Sequence, residues 1–132
     1  MAKEGEAPET KPLLWVGSCR KDLKEFPREV RFTMAYALYL AQQGDKHPDA
    51  KPLKGYGGAG VLEVVEIFDG GTYRAVYTVK FAGVVYALHA FQKKSKQGAK
   101  TPKRDIELVE SRLKLAEEDH AKRTAEGVED KA

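Results

Sequence analysis

The sequence predicts an α+β fold: a small domain with an N-terminal helical hairpin, an antiparallel β-meander and a C-terminal helix. Three observations predict it. Apolar residues recur at helical spacing between Arg28 and Gln43. Three extended runs follow between Val61 and Phe91, separated by the turn signals Asp69-Gly70-Gly71 and Ala82-Gly83. Helical spacing returns after Pro102, with Ile106, Val109, Leu113 and Ala116 on one side. Strands grouped apart from helices mark an α+β arrangement rather than an alternating one. The sheet is expected to carry helices on one face and to be at least partly open on the other.

Each element has its own warrant. Residues 1–12 are charged, proline-bearing and without apolar pattern, and are expected to form a disordered extension. Leu13 to Val16 is a short apolar run before Gly17, and reads as an opening strand. Ser18 offers an N-cap for a helix from Cys19 to Phe26. Pro27 ends that helix and suits the first turn of the next. The next helix places Val30, Met34, Ala37, Leu38 and Ala41 on one face, and Gly44 stops it. Asp45 to Gly60 is rich in Pro, Gly and Lys and reads as a linker. Val61 to Phe68 is the first meander strand. Thr72 to Phe81 is the second, and it alternates cleanly between two faces. Val84 to Phe91 is apolar on both faces, as a central strand is. A last helix starts at Thr101 or Pro102, and from about Thr124 the chain is expected to fray into a polar tail. The globular domain is therefore expected over residues 13–123, followed by a tail over 124–132.

Composition limits the function classes. The hydrophobic content of 42% over 132 residues suffices for a single core. No apolar run reaches membrane-spanning length, and the polar, acidic start is not a signal peptide. Cys19 is the single cysteine, and His47, His89 and His120 have no metal-ligand spacing, so no metal and no disulfide are expected. A reducing, cytoplasmic setting is the expectation. Net charge is +3, but its distribution is uneven. From Gly70 to Arg104 there are Arg74, Lys80, Lys93, Lys94, Lys96, Lys100, Lys103 and Arg104, and no acid. A field so concentrated attracts polyanions.

Register brings several of these cations together. If Ala82-Gly83 is a two-residue loop, Arg74 lies opposite Phe91, Val76 opposite His89 and Thr72 opposite Lys93. Side chains directly across a ladder share a face. Arg74, His89, Phe91 and Lys93 then emerge near one end of the sheet, with Lys94 at the strand exit. Such a set suits a phosphodiester with a base stacked beside it. A three-residue Asp69-Gly70-Gly71 loop would place Glu66 directly opposite Arg74, as a structural partner.

The stretch "GTYRAVYTV", followed by "VVYALHAFQKKSKQGAKTPKRDIELVESRLK", resembles the RelE/HigB-like toxins of bacterial type II toxin–antitoxin systems, in their phage-derived HigB-type branch. The Tyr73-Arg74 pair, the strand end at Leu88-His89 to Lys94, the "KTP" helix start and the "KPLKG" before the meander carry the likeness. It spans roughly Leu13 to Asp119 and implies a small RelE-like domain. It also implies a ribosome-dependent mRNA endonuclease, which cuts by attack of the RNA's own 2′-hydroxyl and uses neither metal nor cofactor. By position, Arg74 would clamp the scissile phosphate. Lys93 and Lys94 would stabilise charge or move a proton, and His89 is the further base candidate. Lys54, Lys80, Lys96 and Lys100, with Phe91, would hold RNA or the ribosome. The implied partner, besides ribosome and messenger, is an antitoxin with a helix-turn-helix domain (HigA/Xre-type).

One position departs from the branch. Its first meander strand often ends in an arginine where this chain has Phe68, and the substitution is expected to remove one phosphate-facing cation. Two other classes fit the same fold: a ParE-like toxin that inhibits gyrase through a protein interface, and a non-catalytic RNA-binding regulator.

Overall fold

A computed structural model describes residues 10–56, 60–93 and 101–131, with side chains through residue 126. The element order is β1 (Leu13–Trp15), α1 (Cys19–Lys24), α2 (Arg28–Gln42), β2 (Ala50–Pro52), β3 (Val61–Phe68), β4 (Gly71–Thr78), β5 (Val85–Lys93) and α3 (Lys103–Lys131). The strands form one five-stranded sheet in the order β1-β5-β4-β3-β2. The meander β3-β4-β5 is antiparallel, as the sequence indicates, and β2 joins β3 antiparallel at the edge. β1 closes the other edge, parallel to β5, with Leu13 opposite Val85 and Trp15 opposite Ala87. The α+β architecture is therefore as expected, enlarged by β2.

β2 lies inside the stretch read as a linker. It is three residues long and ends in a proline, and only Ala50 among them is buried. So short an edge strand has no alternation to betray it, and its pairing with Leu62 to Val64 is supplied by β3.

The helices divide between the two faces of the sheet. α1 and α2 cover one face, where Leu23, Val30, Met34, Leu38 and Ala41 pack with Val64, Ala75, Tyr77, Val85 and Ala87. α3 covers part of the other, where Val109, Leu113 and Ala116 pack with Val61, Val76, Tyr86 and Leu88. Helices were expected on one face alone; α3 packs across β5 on the second face, which stays partly open at the cleft described below. α2 ends as its glycine requires. Gly44 has φ +85°, Asp45 donates to the Leu40 carbonyl (2.7 Å) and Gly44 to that of Ala41 (3.0 Å). These two bonds are a Schellman closure. α3 runs on to Lys131, past the expected fraying at Thr124.

Two hairpins set the register on which the site depends. The β3–β4 turn has two residues, not three. Asp69 (φ 49°) and Gly70 (φ 81°) are both left-handed, as a type I′ turn demands, and Phe68 pairs with Gly71. Arg74 therefore faces Val65, while Glu66 faces Tyr73. The β4–β5 connection is longer than the expected two-residue loop, since β4 stops at Thr78 and β5 begins at Val85. A bulge between Val76 and Tyr77 absorbs the difference, leaving Leu88 outside the pairing. Beyond the bulge the expected pairs hold: Val76 with His89, Arg74 with Phe91, Thr72 with Lys93. No helix among the described residues is long and apolar enough to cross a membrane.

Candidate functional site

β4 delivers Arg74 to a cleft of about 890 Å³. The cleft lies between the β2–β3 edge and the start of α3, and is lined by Lys51, Lys54, Glu63, Val65, Ile67 and Thr101 among others. Strand period explains the lining: Glu63, Val65 and Ile67 alternate onto one face of β3, beside Arg74 on β4. Arg74 is only 2% exposed. Its Nη1 donates to Glu63 Oε1 (3.2 Å) and to Thr101 Oγ1 (3.3 Å), and the Thr101 hydroxyl donates to Glu63 Oε2 (2.7 Å). Its Nε finds no hydrogen-bond partner among the described residues. A buried guanidinium donor without an acceptor is costly, and an anion seated against it would relieve that cost.

Glu63 is the residue that sequence reasoning missed. In the chain it is one of two glutamates in an otherwise apolar strand, and Glu66 is the other. Its place beside Arg74 follows from the two-residue turn, which moves Glu66 away and brings Glu63 within reach along the diagonal.

His89 sits elsewhere. It is 5% exposed, and its ring stacks on Phe91 with centroids 4.7 Å apart. Nε2 lies 2.7 Å from Asp105 Oδ1, and Nδ1 lies 3.5 Å from Arg112 Nη1. These partners fix a neutral ring that donates from Nε2. Burial pushes its pKa below the ordinary histidine value, helped by the Arg112 charge and opposed by Asp105. His89 and Phe91 line a second hollow of about 460 Å³, with Asp22, Glu25, Phe26 and Tyr73. The shared ladder thus brings Arg74 and Phe91 into register, but His89 and Arg74 line different hollows.

Arg112 ties this region together and was not singled out by sequence. From α3 it donates to the Leu88 carbonyl (2.9 Å) and to Ser18 Oγ (3.0 Å). A Cβ on Gly17 would stand 2.8 Å from its Nε, so glycine is needed there for close approach as well as for φ +59°.

The remaining cations are dispersed. Lys93 closes β5 opposite Thr72. Lys54 is exposed on the cleft rim. Lys80 is bound to Glu117 (2.9 Å), with its ammonium 5.5 Å from the Phe81 ring centre. Lys94, Lys96 and Lys100 lie outside the described residues. Phe68 packs against the α1–α2 cluster, on the sheet face away from the cleft. An arginine at that position would not face Arg74, so the departure noted in the sequence removes no cation from this cleft.

Comparison with known proteins bears on the lineage. Among curated proteins there is no significant match. Among solved structures, the crystal structure of the toxin–antitoxin complex RelBE2 from Mycobacterium tuberculosis contains a similar chain. The two share 18% identity over 65% of this chain and 94% of that one, with a TM-score of 0.42. Residues 21–114 match the family described as "Phage derived protein Gp49-like (DUF891)", a span from α1 through the meander and into α3. The chain belongs to this phage-derived, Gp49-like family.

Proposed function

We propose that the chain is the toxin of a toxin–antitoxin pair and that its cleft is an endoribonuclease site acting on messenger RNA at the ribosome. The observation that carries the reading is Arg74, a guanidinium on a central strand that lines the cleft and keeps its buried Nε without a partner among the described residues. The phage-derived family and the likeness of the strand–lysine–helix block support the toxin assignment. The expected partner is an antitoxin with a helix-turn-helix domain and an acidic or apolar segment that masks the basic surface.

The chemistry follows from the groups in the cleft. An RNA phosphate meets the Arg74 guanidinium from the cleft and displaces the Thr101 hydroxyl from Nη1. Glu63, already within 3.2 Å of that nitrogen, accepts the proton of the 2′-hydroxyl. The 2′-oxygen forms a bond to phosphorus while the bond to the 5′-oxygen breaks. The departing oxygen takes a proton from the cationic end of β5, where Lys93 and Lys94 stand in sequence. The products are a 2′,3′-cyclic phosphate and a 5′-hydroxyl. Arg74 stabilises the charge on the non-bridging oxygens throughout. Lys51 and Lys54 on the rim hold the flanking backbone, and Val65 and Ile67 offer apolar surface to a base. A competing reading, a non-catalytic RNA-binding regulator, draws on the same Arg74–Glu63 ion pair as a structural clamp.

A translation assay on a defined messenger, with and without ribosomes, separates the two. Arg74→Ala and Arg74→Lys should each slow cleavage by roughly 10²–10³-fold, since lysine lacks the planar fork. Glu63→Gln keeps the acceptor for Thr101 and should lose cleavage while retaining RNA binding. Glu66→Ala, opposite Tyr73, should change neither. Full cleavage by a folded Arg74→Ala variant would exclude the site.

A further inference from the structure

The cleft has a polar end and an apolar end, and β2 and β3 set them out in order. Glu63, Val65 and Ile67 follow one another on the cleft face of β3. Ile67 is 75% exposed, the most exposed large apolar side chain among the described residues. β2 runs antiparallel beside them, with Lys51 opposite Glu63 and Ala50 opposite Val64. One step further along the same ladder sets Asp49 beside Val65, and Asp49 lines the cleft. In the other direction, Lys54 follows Leu53, which donates to the Val61 carbonyl (2.9 Å). The two lysines thus stand at the polar end with Arg74 and Glu63, and a carboxylate alone stands at the apolar end. The Asp49 N–H donates to His47 Nδ1 (3.0 Å) and Ala50 donates to the His47 carbonyl (2.9 Å), so the turn that places Asp49 does not use its carboxylate. That carboxylate is exposed and has no ion pair among the described residues.

We propose that Asp49 determines base specificity, by reading the Watson–Crick edge of a guanine in the nucleotide on the 5′ side of the bond that breaks. The inference rests on the endoribonuclease reading of this cleft and adds the base that the cleft selects. Successive residues on one face of a strand are about 7 Å apart. A nucleotide whose 2′-hydroxyl lies at Glu63 therefore lays its base on Val65 and Ile67, with Asp49 at the edge of that floor. Unpaired RNA bases are read in this manner, by contact with a ring face and hydrogen bonds along an edge. An ionised carboxylate accepts hydrogen bonds and donates none. Guanine presents N1–H and N2–H side by side, so both Asp49 oxygens accept at once, as they would from an arginine fork. Adenine and cytosine present one amino group beside an accepting ring nitrogen. Uracil presents one N–H between two carbonyls, whose oxygens would face the carboxylate. Repulsion of these lone pairs discriminates as much as the bonds to guanine do.

Calorimetric titration of the full chain with nucleoside 3′-monophosphates tests this, because each carries a phosphate for Arg74 and a base for the apolar floor. Guanosine 3′-monophosphate should bind about tenfold more tightly than the inosine compound, which lacks only the 2-amino group. The uridine compound should bind more weakly again. Asp49→Asn, an exposed substitution whose fold is checked by circular dichroism, turns one acceptor into a donor and should erase the preference for guanosine over inosine. Arg74→Lys should weaken all three compounds alike and keep their order. Equal binding of the guanosine and inosine compounds by the wild type, or a preference that survives Asp49→Asn, overturns the role of Asp49 and leaves the cleft reading standing. Binding indifferent to Arg74→Lys overturns the cleft reading itself, and failure of all three to bind at millimolar concentration overturns both.

Discussion

His89 lies between two groups that pull its proton in opposite directions, with Asp105 at one ring nitrogen and Arg112 near the other. Burial outweighs the carboxylate, and its pKa lies below the 6.5 it has when unfolded. The unfolded chain thus binds more protons than the folded one as pH falls through that value. His89 therefore makes the fold more stable above about 6.5 than below it, and the difference develops between the unfolded value and the lower folded one. Melting temperature should fall between pH 7.5 and 5.5, and should fall less in His89→Asn. An equal fall in both proteins would mean that other groups carry the pH response. At this scale the sequence was half legible. The pairings of Arg74, Val76 and Thr72 could be counted from the end of the hairpin. Glu63 could not, because its contact depends on whether a turn contains two residues or three, and Asp69-Gly70-Gly71 permits both.

α3 is anchored through one buried side chain as well as through its apolar stripe. Arg112 bridges Ser18, ahead of α1, to the Leu88 carbonyl and His89, neighbours on β5. Arg112→Met keeps much of the side-chain volume but leaves the Leu88 carbonyl without this donor. It should cost about 2–4 kcal/mol and lower the melting temperature by roughly 8–15 °C. A loss below about 2 °C, read by calorimetry, would show that water replaces the guanidinium freely. Elements with a strong period were legible in sequence: β3 has the expected bounds, and α2 buries all five residues assigned to its face. β2 and the Val76/Tyr77 bulge were not, since a three-residue edge strand has no period and a bulge changes spacing without changing composition. The bulge offset the longer β4–β5 connection, which is why the pairs near the site were right although the loop was not.

Across the whole molecule, charge is segregated by sequence and partly recombined by folding. In the chain the acid-free stretch from Gly70 to Arg104 runs into the start of an α3 rich in carboxylates, and Lys80 is drawn to Glu117. Binding to RNA or ribosomes should weaken steeply with salt, at a log–log slope of about −0.7 per phosphate contact on single strands. Lys96→Ala with Lys100→Ala should flatten the slope by roughly 1.4. Lys80→Ala should change it less, because its charge is already paired. A slope unchanged in the double variant would make the lysine run a solvated surface.

The pairing of β1 with β5 has a consequence for the order in which the molecule can be assembled. Leu13 meets Val85 only after seventy-one intervening positions have been made, and Val16 donates to the carbonyl of Ala87. Closing so long a loop costs entropy before any contact repays it, so this edge forms late. A nascent chain that has emerged through β3 can coil α1 and α2, yet it has no β5 to receive Cys19 and Leu23. Arg74, the centre of the cleft, acquires Thr101 later still. The parts that would do chemistry are thus the last to be joined, and an interrupted synthesis leaves a chain that is folded in pieces and has no site.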